Sequence, residues 1–401
     1  MALPRVLVLT STLPAREGDG TPAFVADLAR ELGREFEVRI LTPAVPGGAP
    51  RERLGENVEA IRYRYFPSRW EDLADGAMLE NVRARRSRML QVPFLMGSMA
   101  VALRRELREF RPDAIHAHWI IPQGIVARTF AGAVPTVVTT LGGDLYALDG
   151  SLARAQKSRV VRAASAITVM NEDMRARVVG LGGDPSTTHV IPMGARFTAL
   201  SRDDRQVSKP ATWRHPVHLL AVGRLVEKKG FDVLLEALRR SRARIDLTIV
   251  GDGPERARLE GLAEGLPVTF RGQLRREELD DELAHAGIAV FPSRRASTGD
   301  QDGLPVAMLE AMGAGCAVVA SDLPGLNEAI EPGHSGVLVP EGDADALART
   351  LEVLAEDQEL RAALGAAARE RARAYSVEAV GEGYRDLFHR IIAKAPQHAG
   401  R

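Results

Sequence analysis

Two carboxylates stand eight positions apart in Asp302-Gly-Leu-Pro-Val-Ala-Met-Leu-Glu310, at either end of an apolar run. Pro305 suits the first turn of a helix, and Gly313 and Gly315 suit its end. That puts Asp302 in the preceding loop and Glu310 inside the helix. A carboxylate within a packed helix is costly unless paired. Two partners fit Glu310: the hydroxyls of a ribose, since a carboxylate accepts two hydrogen bonds well, or a nearby arginine. A second constellation is "VGRLVEKKG", followed by the helical "FDVLLEAL". Gly223 ends a strand, Arg224 and Lys229 follow, and Gly230 leads into the helix. Two fixed cations and a helix N-terminus converging on one anion are how a phosphate group is held. Only five of the 53 basic residues are lysines, so the adjacent Lys228 and Lys229 stand out.

The first half carries weaker signals. Gly18-Asp19-Gly20-Thr21 lies between the first strand and helix, where the backbone at Gly20 is placed to approach a phosphate. It is not GxGxxG, which counts against a dinucleotide dehydrogenase. In "DAIHAHWIIPQG", His116 and His118 alternate on a strand and share a face. They are expected at a cleft edge, either orienting a substrate or serving as core histidines. No further ligands stand near them, so no metal is expected. "GDGPE" at Gly251 reads as a tight turn, and Arg271, closing a later strand, joins the binding candidates.

Elements must position these residues. The chain opens with an apolar strand from Arg5 to Thr10, a loop, and a helical "AFVADLARELG". Apolar runs at Val38–Thr42, Ala114–Ala117, Thr136–Leu141, Ala166–Met170 and His189–Pro192 alternate with helical stretches, as a parallel sheet with crossover helices requires. The same grammar restarts at Val217 and runs through "DLTIVG", Val268–Arg271, "IAVFPS" and "AVVAS". The fold class is therefore α/β, with two Rossmann-like doubly wound domains. The expected boundaries are 1–200, 201–375 and a terminal helix over 376–401, with the polar stretch 196–216 as linker. Two helices are expected to finish the chain, Ala344–Ala374 and Ser376–Lys394. Val380, Tyr384, Leu387, Phe388 and Ile391 form an apolar stripe on the second, which needs a partner surface.

Together, "VGRLVEKKG", "DGLPVAMLEAMGAGCAVVAS", "IPMGA", "HAHW" and "YSVEAVGEGYRDLF" resemble family-4 retaining glycosyltransferases of the GT-B fold over nearly the whole chain. The resemblance implies two Rossmann-like domains facing across a cleft. The N-terminal one would bind the acceptor and the C-terminal one a nucleotide-sugar, with the last helix crossing back to the N-terminal domain. It implies that Arg224 and Lys229 neutralise the donor diphosphate, that Glu310 holds the ribose, and that Asp302, standing where the family usually has glutamate, contacts the transferred sugar. Gly303, Leu304 and Pro305 would bring backbone amides and a helix N-terminus near the phosphates, with Gly223 beside them. Leu141 stands where family members often carry a histidine. Its role at the sugar would then fall to the Leu141 carbonyl, to Asp144 or to His118.

Composition sets the remaining bounds. Apolar residues at 45% and charged residues at 26% are ordinary globular values, and 53 basic against 53 acidic residues exclude a global nucleic-acid footprint. Cys316 is the sole cysteine, no secretory pattern precedes the first strand, and no apolar run nears the ~20 residues of a spanning helix. A cytoplasmic protein is expected, using no cofactor beyond its nucleotide-sugar co-substrate, which we expect to be a UDP-hexose. Arg83, Arg85, Arg86 and Arg88 precede an apolar stretch in the acceptor half, as suits an anionic membrane or a lipid-linked acceptor. A glycan or small-molecule acceptor also fits. A GT-B nucleotide-sugar epimerase and a catalytically silent sugar-nucleotide-binding protein are the alternatives.

Overall fold

Runs such as Val6-Leu-Val-Leu9 and Ala114-Ile-His-Ala-His118 are buried on both faces. Only the interior of a parallel sheet covered by helices on each side permits that. The computed structural model describes residues 3–15, 23–76, 78, 81–82, 85–146, 150–197 and 216–395. Gly20, Arg83 and most of the linker stretch lie outside the described residues. The chain divides into two units, Met1–Pro192 with Val380–Arg401, and Met193–Ala379.

The first unit is built on the strands β1 (Arg5–Leu9), β2 (Glu37–Pro43), β3 (Arg51–Gly55), β4 (Val58–Tyr63), β5 (Ala114–His118), β6 (Thr136–Thr139), β7 (Ala166–Val169) and β8 (Thr188–Val190). They form one sheet in the order β3-β4-β2-β1-β5-β6-β7-β8. Helices α1 (Phe24–Leu32), α2 (Val92–Glu109), α3 (Ile125–Phe130), α4 (Ser151–Ala163) and α5 (Glu172–Gly180) connect them. The β3–β4 pair was not expected from sequence. It is antiparallel, at the sheet's edge, and β3 reads RERLG, too charged and too exposed to carry a strand pattern. The sheet changes direction between β1 and β5, whose loops run opposite ways from the centre.

The second unit repeats the plan with β9 (Val217–Val222), β10 (Ile245–Val250), β11 (Val268–Gly272), β12 (Ile288–Phe291), β13 (Ala317–Ser321) and β14 (Val337–Val339). All described pairings are parallel, in the order β11-β10-β9-β12-β13-β14, the Rossmann arrangement with its reversal between β9 and β12. Helices α6 (Phe231–Arg240), α7 (Arg256–Leu262), α8 (Arg276–His285) and α9 (Val306–Gly313) cover the faces. The single helix expected over Ala344–Ala374 is two, α10 (Ala344–Glu356) and α11 (Gln358–Ala372). Asp357 separates them: its backbone is extended, and its carboxylate accepts from the Leu360 amide at 2.8 Å, capping a fresh start.

The final helix, α12 (Val377–Lys394), buries the apolar stripe seen in the sequence. Its partner is the first sheet: Phe388 meets Phe36 edge-on, and the Tyr384 hydroxyl hydrogen-bonds with Thr168 Oγ1 at 3.0 Å. No helix among the described residues is long and apolar enough to cross a membrane.

Candidate functional site

In an open parallel sheet, the crevice outside the carboxyl ends of the strands at the point of reversal is where ligands bind. In the second unit that point lies between β9 and β12, and its two loops carry "GRLVEKKG" and "PSRRASTGDQDGLP". Arg294 N donates to Lys228 O at 2.8 Å and ties the two together, while Gly223 N to Val250 O at 3.0 Å and Leu225 N to Asp252 O at 2.9 Å tie the first of them to the end of β10 and the turn after it. Glycine is needed at two crossings. Gly230 sits at φ +64°, where a Cβ would collide with the Pro292 carbonyl, and Gly251 at φ +132°, where one would collide with the Gly223 carbonyl. The turn read as "GDGPE" is thus part of the wall of the site.

Within these loops Asp302 is the hub. Lys229 Nζ donates to its Oδ2 at 2.8 Å, Ser293 Oγ donates to the same oxygen at 2.8 Å, and Lys228 Nζ lies 3.7 Å from Oδ1. Lys228 also pairs with Asp300 at 3.2 Å. Burial alone would raise the Asp302 pKa, but Lys229, Lys228 and the Ser293 bond outweigh it and hold the carboxyl below the usual carboxylate range. Gly223 borders the Lys229 side chain, and the exposed Arg224 follows it. Gly303 and Pro305 are buried and Leu304 is half-buried. Pro305 precedes the first turn of α9 with its carbonyl accepting from Met308 N at 3.0 Å.

Glu310 lies inside α9, held by a different partner. The Arg276 guanidinium, at the start of α8, bonds its Oε1. Of the two partners that the sequence left open, the ligand-free chain uses the arginine. Arg271 stands apart from the Lys229–Asp302 pair, its guanidinium 3.7 Å from Glu282.

The first unit arranges its candidates differently. His116 and His118 are fully buried, their rings 4.1 Å apart, and His116 packs under Tyr384 and Phe388 of α12. Of the two readings left open for these rings, both stand here as core histidines, and the last helix covers His116. His116 Nε2 shares a 2.7 Å hydrogen bond with Thr139 Oγ1. Burial pushes His118 down to about 3, so it is a neutral ring. Asp144 is also buried, accepting from Ile120 N at 2.6 Å and Thr140 Oγ1 at 2.7 Å. It fastens the turn after β6 to the one after β5. Trp119, next in the chain after His118, holds φ +83°, a strained value for a non-glycine residue.

Lys228, Ser293, Asp300 and Arg276 belong to these clusters but were not singled out as site residues in the sequence. The lysine doublet did flag Lys228. Arg276 is 34 residues from Glu310, beyond any local spacing signal.

The family described as "Glycosyl transferases group 1" matches residues 205–371, and the one described as "Glycosyl transferase 4-like domain" matches residues 19–194. The chain is 30% identical over 320 residues to the GDP-mannose-dependent monoacylated alpha-(1-6)-phosphatidylinositol monomannoside mannosyltransferase of Corynebacterium glutamicum, covering 76% of this chain and 82% of that protein. It is 40% identical over 153 residues to the amylovoran biosynthesis glycosyltransferase AmsK of Erwinia amylovora, covering 36% of this chain and 37%, less than half, of that protein. Among solved structures, sucrose-phosphate synthase from Thermosynechococcus elongatus superposes with a TM-score of 0.78 at 22% identity, covering 98% of this chain and 100% of that one. Anabaena HepE in complex with UDP-glucose gives 0.70 at 17% identity, covering 96% and 99%. The chain belongs to the family-4 glycosyltransferases and has their GT-B fold, two parallel-sheet α/β domains.

Proposed function

We propose that this glycosyltransferase moves a hexose, with retention of configuration and without a metal, from a nucleoside diphosphate sugar to an acceptor hydroxyl. The observation that carries this reading is the cluster of Lys229, Lys228, Ser293 and Asp302 at the reversal point of the second sheet, with the exposed Arg224 in the same loop as the two lysines. Breaking the bond between the sugar's anomeric carbon and the phosphate oxygen leaves charge on the diphosphate, which preorganised cations stabilise. Lys229 and Arg224 supply that charge. Asp302, kept ionised, accepts from hydroxyls of the sugar, and Glu310 accepts from the ribose. The acceptor oxygen bonds the anomeric carbon on the face the leaving group vacates, and its proton passes to the departing phosphate. Turnover should therefore persist in EDTA.

The base is uridine in our reading, and HepE, of the same fold, is described with UDP-glucose. A guanosine donor is the second reading, favoured because the Corynebacterium relative is named GDP-mannose-dependent. Thermal shifts with UDP- and GDP-sugars decide between them: a ligand at a hundred times its dissociation constant adds about 2.7 kcal/mol of stability. A shift with neither would count against the donor site altogether.

For the acceptor we propose a lipid-linked molecule, met by a cytoplasmic enzyme at an anionic membrane surface. The Corynebacterium relative's name describes a phosphatidylinositol mannoside. Supporting the reading, α2 is apolar on two sides. Leu95, Met99 and Leu103 are buried, while Phe94 and Val101, seven residues apart, are exposed together with Met89, Leu90 and Trp70. Phe66 packs edge-on to Phe94, and Arg69 stacks on Trp70. Exposed Arg85 and Arg86 flank the patch. Aromatic and aliphatic knobs ringed by arginine suit an anionic lipid interface.

A further inference from the structure

We infer that Arg276 is a positioning residue for the nucleotide. It fixes the Glu310 carboxylate, ionised and aimed, so that the site reads the ribose 2′-hydroxyl. This rests on the reading of Glu310 as the ribose acceptor. Glu310 is mostly shielded from water, its side chain 12% exposed, and such a carboxylate stays charged only beside a cation or several donors. Arg276 is that cation, and it is itself clamped from three directions. One terminal nitrogen bonds Glu310 Oε1, while the other bonds the Arg196 carbonyl at 3.0 Å and Asp280 at 2.9 Å.

The carbonyl end of the clamp is equally fixed. Residue 195 is pinned on both sides, its amide donating to Tyr375 O at 2.9 Å and its carbonyl accepting from Val377 N at 3.0 Å. The ring of Phe197 packs against Gly313, at the end of the helix that bears Glu310, so closely that a Cβ there would overlap it. Arg276 therefore joins three separate segments, the starts of α8 and of the 196–216 stretch and the middle of α9. Its planar fork serves partners in different directions, which a lysine's single ammonium cannot reproduce.

The consequence is selectivity. A carboxylate has about four lone-pair sites and accepts without donating. Fixed by Arg276, it prefers a ligand that brings a hydroxyl and penalises one that lacks it, because the buried acceptor is then left short.

The test is calorimetry of UDP and GDP and their 2′-deoxy counterparts with the full chain. Wild type should bind the better ribonucleotide at least about tenfold more tightly than its deoxy form. Arg276→Met should shrink that ratio to about threefold or less while leaving deoxynucleotide affinity unchanged. Arg276→Lys should fall between, and Arg276→Met combined with Glu310→Gln should give the ratio of Glu310→Gln alone. Equal weakening of both nucleotides in Arg276→Met, or an intact ratio, overturns the inference. If Arg276→Met fails to fold, judged by thermal unfolding, Arg276→Lys carries the test: an unchanged ratio there is contradictory. The two readings fail separately. An intact ratio in Glu310→Gln sinks the ribose assignment itself, whereas loss of the ratio in Glu310→Gln but not in the Arg276 variants sinks only the role of Arg276.

Discussion

The reversal points of the two sheets share a topology and differ in charge, and two aspartates make the difference plain. Asp144, after β6, bonds the turn after β5 at the first reversal, Asp302 follows β12 at the second, and the two are about equally buried, 5% and 7% exposed. Burial pushes Asp144 above the ordinary carboxylate range despite its bonds from Thr140 and Ile120, while Asp302 is held below it. At similar depth, Asp144 feels one buried ammonium, Lys157, which bonds the Leu145 carbonyl and does not overcome burial, whereas Lys229 bonds Asp302 directly with Lys228 close by. The first unit spends its buried polar groups on holding backbone in place, under a cover of neutral histidine and aromatic rings. The second concentrates paired charge in glycine-bearing loops, Lys229 and Lys228 against Asp302 and Asp300.

The largest expected break in that comparison is chemical. Lys229→Ala and Arg224→Ala should each lower turnover by ~10²- to 10³-fold, the usual loss when one preorganised charge is removed. Lys228 remains to pair Asp302, so the fold should persist in Lys229→Ala. Near-normal turnover in either variant would remove the phosphate site from the second unit.

A change of pH probes the other side. His116 and His118 are held neutral in the fold, with pKa values below the ordinary 6.5. The unfolded chain therefore binds more protons as the pH drops below about 6.5, and stability present above that value is lost toward about 3. The slope should approach ~1.4 kcal/mol per pH unit for each histidine. Denaturant titrations at pH 7 and pH 5 measure it. A midpoint that does not fall between them would mean that the rings are already charged or reached by water.

A smaller effect is expected at the exposed face of the first unit. Replacing Phe94 and Leu90 by serine, or Arg85, Arg86 and Arg88 together by serine, should release the protein from vesicles containing phosphatidylglycerol. Binding of the wild type should weaken with salt, since exposed charges are screened beyond ~8 Å at physiological ionic strength. Because Arg88 already pairs with Asp72 at 2.7 Å, most of the charge effect should come from Arg85 and Arg86. Indifference of the wild type to such vesicles would leave the patch without a membrane role.

Much of this was legible in the sequence because it is local. The apolar strands, the loop before α9, the placement of Asp302 outside and Glu310 inside that helix, and the stripe on α12 all follow from spacing within a few residues. What escaped depends on groups far apart in the chain. Lys229 and Asp302 are 73 positions apart, and neither residue's neighbourhood announces that they pair. The burial of His116 is decided by α12, at the other end of the sequence. Edge strand β3 was hidden by its charges, and Asp357 divided a helix because one side chain can cap a backbone amide.

The central claim is that the eight-residue interval from Asp302 to Glu310 separates sugar recognition from nucleoside recognition. Calorimetry with the nucleoside diphosphate alone tests it most directly. Glu310→Gln should weaken binding at least about tenfold, the worth of a charge-assisted hydrogen bond of roughly 1.5 to 3 kcal/mol. Asp302→Asn should bind the diphosphate as wild type does while turnover collapses. Equal weakening by the two substitutions would contradict the account.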